Sequence, residues 1–102
     1  MDRAGKPRAH LYVSNDEPVL DLSDEAGRPR VMLGADENGA RLTLWDEARE
    51  VRAVLGADKS GPALALVDKA GKLRLTLQRK PAGSPSLHLS DQDGTVIWRA
   101  PQ

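Results

Sequence analysis

The residues that could do chemistry are few. His10 and His88 are the only two histidines, and there is no cysteine in the 102 residues. A metal site needs three or four converging ligands, so two histidines so far apart in sequence read as strand residues. Ser86, His88 and Asp91 include the residue types of a nucleophilic triad. Ser86 and His88 are i and i+2 on one predicted strand, however, and nothing near them supplies an oxyanion hole. Asp91-Gln92-Asp93-Gly94 resembles the start of a calcium loop but lacks the closing bidentate Glu, so it reads as a turn. No phosphate loop or dinucleotide fingerprint is present. The sequence therefore offers no catalytic residue, no metal site and no cofactor, and the expectation is a protein that is not an enzyme.

The one chemical feature with extent is cationic. Arg8, Arg28, Arg30, Arg41, Arg52, Lys72, Arg74 and Arg99 fall on one side of the predicted strands, whereas most acids fall in turns. The formal charge is zero, 15 basic against 15 acidic residues, and hides this segregation. These eight residues form the candidate surface for an anionic polymer: a glycan, nucleic acid or lipid headgroups. Tyr12 and Trp45 are too sparse for a base-stacking platform, so nucleic acid is the least expected of the three.

The elements that would carry that surface are read from the stretch 62–77, PALALVDKAGKLRLTL. Leu64 and Leu66 alternate with other residues before Asp68-Lys69-Ala70-Gly71, and Leu73, Leu75 and Leu77 alternate after it. Period two marks a strand with one apolar face. An Asp-x-x-Gly loop built on a type I turn suits a reversal, because Gly adopts positive φ freely and Asp can accept loop amides. The same phrase recurs. Its Asp falls at Asp2, Asp24, Asp46, Asp68 and Asp91, in steps of 22, 22, 22 and 23 residues. Gly closes four of these turns and Arg49 the fifth. Asp36-Glu37-Asn38-Gly39 and Asp58-Lys59-Ser60-Gly61 are linking turns of the same type, Ser14-Asn15-Asp16-Glu17 is a third, and Lys80 to Ser84 carries the one-residue insertion.

A 22-residue period of two strands and two tight turns predicts one all-β repeat domain over residues 1–102. The strands fall at about 6–13, 18–23, 28–35, 40–45, 50–57, 62–67, 72–78, 86–90 and 95–100. No stretch has a sustained 3.6-residue rhythm, so no helix is predicted. Four-residue loops keep facing parity. They set Leu20 opposite Val31, Leu33 opposite Leu42, Asp21 opposite Arg30 and Thr43 opposite Arg52, with Trp45 flanking Arg30. The expected fold is an up-and-down antiparallel meander of about nine short strands, curled into a barrel or barrel-like sheet that buries the Leu face. Nine strands leave the first and last parallel, which opposes closure and leaves a docking edge. The alternative is a β-solenoid, which would stack Arg8, Arg30, Arg52 and Arg74 about 4.8 Å apart in a repelling column.

The phrase L-x-L-x-D-x-x-G-x-x-R, ending in Gly94-Thr95-Val96-Ile97-Trp98, resembles that of uncharacterised bacterial tandem repeat proteins with a β-hairpin unit of this length. It is distantly similar to the YD repeats of Rhs-type proteins, without their Tyr. The resemblance implies a bacterial source, an envelope-associated or scaffolding setting and no catalytic residues. No apolar run is long enough to cross a membrane as a helix and no signal peptide opens the chain, so it reads as soluble as given, without membrane insertion. The functional expectation is a structural or protein-interaction module. It would engage a protein partner or a second copy through a sheet edge, with the anionic-polymer binder as the alternative.

Overall fold

The computed structural model describes residues 1–79 and 85–101. The link from Lys80 to Ser84, with its inserted residue, lies outside them. Nine strands follow one another: β1 (Ala9–Ser14), β2 (Glu17–Ser23), β3 (Pro29–Asp36), β4 (Gly39–Trp45), β5 (Val51–Asp58), β6 (Gly61–Val67), β7 (Leu73–Arg79), β8 (Pro85–Ser90) and β9 (Val96–Ala100). They form a single sheet in sequence order, and each pairs antiparallel with the next. The up-and-down meander is therefore correct and the solenoid is excluded, because a solenoid would pair equivalent strands in parallel. The barrel is not formed. β1 and β9 are two free edges of an open sheet, in line with an odd strand count, which opposes antiparallel closure.

The corners of the 22-residue series are one residue tighter than the four-residue loop predicted, and the linking turns at 36–39 and 58–61 are two-residue loops in which Asp36 faces Gly39 and Asp58 faces Gly61. Asp24 N–H donates to Arg28 O at 2.9 Å and Gly27 N–H to Asp24 O at 3.0 Å, which leaves a three-residue loop closed by a left-handed residue. The same two bonds recur at 2–6, 46–50, 68–72 and 91–95. Gly27 has φ 82°, and Arg49 is driven to φ 65° at the equivalent place. One step beyond each corner the register shifts again. Ser23 faces Pro29, but Leu22 faces Val31, so Arg30 is an extra residue in a β-bulge. Arg52 is extra between Val51 and Ala53, Arg74 between Leu73 and Leu75, and Ile97 between Val96 and Trp98.

These bulges correct the predicted pairs. Asp21 faces Met32 and not Arg30, Thr43 faces Val54 and not Arg52, and Val31 faces Leu22 and not Leu20. Beyond the bulge the register is displaced by two residues, an even number, so the side chains there keep their face, whereas Val51, Leu73 and Val96, before the bulge, pair with Trp45, Val67 and Ser90 and leave the leucine face. Leu33 does face Leu42. A row of leucines crosses the sheet at Leu11, Leu20, Leu33, Leu42, Leu55, Leu64, Leu77 and Leu87. A second row runs through Leu22, Val31, Leu44, Ala53, Leu66, Leu75, Leu89 and Trp98. A shorter third row holds Ala35, Ala40, Ala57 and Pro62. None of these residues is charged.

The predicted interior is absent. No hydrophobic side chain is buried among the described residues. Leu55, on the central strand, is 50% exposed and Leu11, on the β1 edge, 79%. The meander fits the segregated pattern, but an open sheet has no second layer to place over it.

Arg49 gives a direct test of the corner geometry. Arg49→Gly relieves a left-handed residue that carries a Cβ, a gain of about 1 kcal/mol, and should raise the melting temperature by several degrees. An unchanged or lower melting temperature contradicts it. Gly39→Ala should do the opposite, because a Cβ there overlaps the Ala57 carbonyl.

Candidate functional site

The predicted cationic surface divides once side chains are placed. Arg8, Arg30, Arg52 and Arg74 occupy equivalent positions, six residues after the corner Asp of their own unit. Each guanidinium reaches back to that Asp: 3.4 Å to Asp2, 3.6 Å to Asp24, 2.8 Å to Asp46 and 3.4 Å to Asp68. Each also donates forward to a backbone carbonyl at the end of the next hairpin. Arg8 Nε donates to Ser23 O at 2.6 Å, Arg30 Nε to Trp45 O at 3.0 Å, and Arg74 Nε to Ser90 O at 2.7 Å. Arg52 does so from a terminal nitrogen to Asp68 O at 2.7 Å. The four arginines are staples between repeat units. Trp45 does flank Arg30, and the bond between them is to the Trp45 backbone carbonyl.

The corner Asp completes the staple. One oxygen of Asp24 accepts the amides of Ala26 and Arg28 at 2.9 and 3.0 Å, and the other faces Arg28 and Arg30. Asp2, Asp46 and Asp68 repeat the amide pattern. The bond from the amide four residues on is the largest influence and holds these four carboxyls below their ordinary value. Partial desolvation opposes it, and the arginine adds to it. Arg28 also donates to Glu47 O at 2.9 Å and Lys6 to Glu25 O at 3.2 Å, bonds to the next corner. Periodicity alone could not reveal the staples. The signal that could have was the placement of an arginine six residues after the corner Asp, which recurs in four units, in three of them as D-x-x-G-x-x-R.

The remaining cations of the set are scattered. Lys72 lies in the 68–72 corner. Arg99 faces His88 near the β9 edge. Arg41 lies mid-strand on β4, between Gly34 and Gly56. None of these three belongs to an ion pair among the described residues. Arg41 borders an open trough of about 1020 Å³ on the face opposite the leucines, together with Met32, Thr43, Trp45, Val54 and Ala65.

His10 and His88 lie in one cross-strand row but near opposite edges of the sheet. His10 Nδ1 is 2.9 Å from Asp21 Oδ1, and Asp21, 8% exposed, is the only buried residue among those described. Loss of surrounding water, and next the hydrogen bond with Asp21, push the Tyr12 phenol up. This trio ties β1 to β2; no nucleophile joins it. Among the described residues no three His, Cys, Asp or Glu side chains converge as metal ligands. Among the described residues no helix is long and apolar enough to cross a membrane.

What remains without a role inside the molecule is the aliphatic face. Its two long rows cross the sheet and its short third row runs from β3 to β6, all without a charge, whereas the other face carries the staples, His10–Asp21 and Arg41. The sequence matches no known family model and no curated protein.

Two outcomes test the staples. Arg52→Ala should destabilise the sheet by about 1 kcal/mol through the lost carbonyl bond, measured by denaturant unfolding. The four corner carboxyls have depressed folded values. Their contribution is thus complete above the ordinary 3.8 and is lost as pH falls through the folded values. Asp24→Asn should therefore lower the melting temperature at neutral pH, and the difference from the parent should shrink below pH 3.8. A pH-independent difference contradicts this.

Proposed function

We propose that the chain is a non-enzymatic structural and protein-interaction module whose uncovered aliphatic face, flanked by a free sheet edge, is the surface it offers to a partner. One observation carries this reading: a nine-strand sheet has an uncharged aliphatic face and buries no hydrophobic side chain among the described residues. Exposed apolar patches beyond a few hundred Å² mark interaction surfaces. This face runs across a molecule with extents of 52 × 31 × 18 Å. β1 adds an edge without Lys or Pro, the usual guards against strand addition. A scaffolding or envelope-associated setting suits such a module.

The reading as a binder of anionic polymers is weaker for a specific reason. Four of its eight cations are stapled to corner carboxylates and carbonyls. The trough holding Arg41 is bordered by Glu17, Asp36 and Asp58, which repel a dense polyanion.

At a dilution where each particle holds one chain, the protein should bind a dye that fluoresces on apolar surfaces. Leu33→Asp together with Leu55→Asp should remove most of that signal. A single-chain particle that binds no dye would overturn the reading. On heparin at low salt the chain should elute unretained, and retention that collapses steeply with added salt would favour the anionic-polymer reading.

A further inference from the structure

We propose that the occupant of the aliphatic face is a second copy of this chain, packed face to face about a two-fold axis into a two-layer sandwich. The inference rests on the interaction-module reading and names its partner. Three observations select a copy over other occupants.

The first is area. Extents of 52 × 31 Å give a face on the order of 1,500 Å². Twisted sheets packed aligned, at about −30°, touch best over their central strands. Half of the face already approaches the ~800 Å² per partner of a stable interface. The second is chemistry. A foreign protein partner is selected by placed charges and hydrogen-bonding groups, and the leucine rows carry neither. Two copies meet without an unpaired polar group, which is the condition an isologous patch must satisfy. Row spacing and strand spacing are identical in the two copies, so the ridges of one can interdigitate with the grooves of the other across the Leu33, Leu42, Leu55 and Leu64 row.

The third observation excludes the head-to-tail arrangement. Placing the leucine face of one copy into the trough of the next would cover Arg41, which makes no ion pair among the described residues. Burial of an unpaired guanidinium is costly. The face-to-face pair leaves Arg41 in water.

The test uses the unaltered chain at high concentration, with half of the copies methyl-labelled and isotope-filtered NOEs recorded between copies. The expected result is a particle of two chains with cross-copy contacts among the methyls of Leu33, Leu42, Leu55 and Leu64. Leu55→Asp should weaken the dimer roughly a hundredfold while strand content by circular dichroism is retained, because Leu55 is half exposed within the chain. Cross-copy contacts confined to β1 would overturn the proposal in favour of edge pairing. A single chain at high concentration would overturn it as well, and so would a chain that is single in solution and binds uncharged lipid vesicles. If that single chain binds the apolar-surface dye, the module reading survives; if it does not, both fall.

Discussion

The corner formed by Asp, a left-handed residue and a bulged arginine is the interaction on which the rest depends. A three-residue loop is odd and would by itself turn the following strand over. The extra residue one step beyond restores the count, so Leu22, Val31 and Leu44 keep to one side. The bulged residue is an arginine in three units, Arg30, Arg52 and Arg74, and its guanidinium bonds both the corner carboxylate and the end of the next hairpin. Arg8 makes the same two bonds at the start of β1 with no bulge in the β1–β2 ladder. In the last unit Ile97 occupies the position, 65% exposed, where β9 has no further strand beside it to receive such a bond.

From that parity the two faces follow, and from the faces the absence of a core. The leucine rows are sent to one side of a single layer, so no pair of elements among the described residues can enclose them. Backbone ladders and staples then carry a larger share of the order than in a domain with a buried interior. Their arginines and carboxylates stay in part exposed to solvent, and surface ion pairs are worth little one at a time. Covering the aliphatic face is the largest stabilisation the molecule has not used within itself.

Much of the fold was legible because alternation is local. Leu64, Leu66, Leu75 and Leu77 announce two strands and a shared face without knowledge of any partner, whereas Leu73, ahead of the bulge, falls on the other face. Arg49 could be recognised as a left-handed residue from its place in the Asp series. The register was not legible to the same degree. A bulge shifts it by a residue while leaving the hydrophobic pattern intact, so Asp21–Arg30 and Thr43–Arg52 looked as sound as the true pairs. Closure was legible only in part: the odd strand count already opposed it, but the twist accumulated across the sheet is not a local property of the sequence. The arginines misled for a related reason: outward position distinguishes a staple from a free cation only when the corner carboxylate six residues earlier is considered with it.

Cross-strand NOEs at the corner between β4 and β5 test the central claim most directly. The account predicts a backbone contact between Leu44 and Ala53, with Arg52 lacking a partner on β4. Contact between Thr43 and Arg52 would contradict it, because the bulge, the staple and the parity that sets the aliphatic face would then be misassigned together.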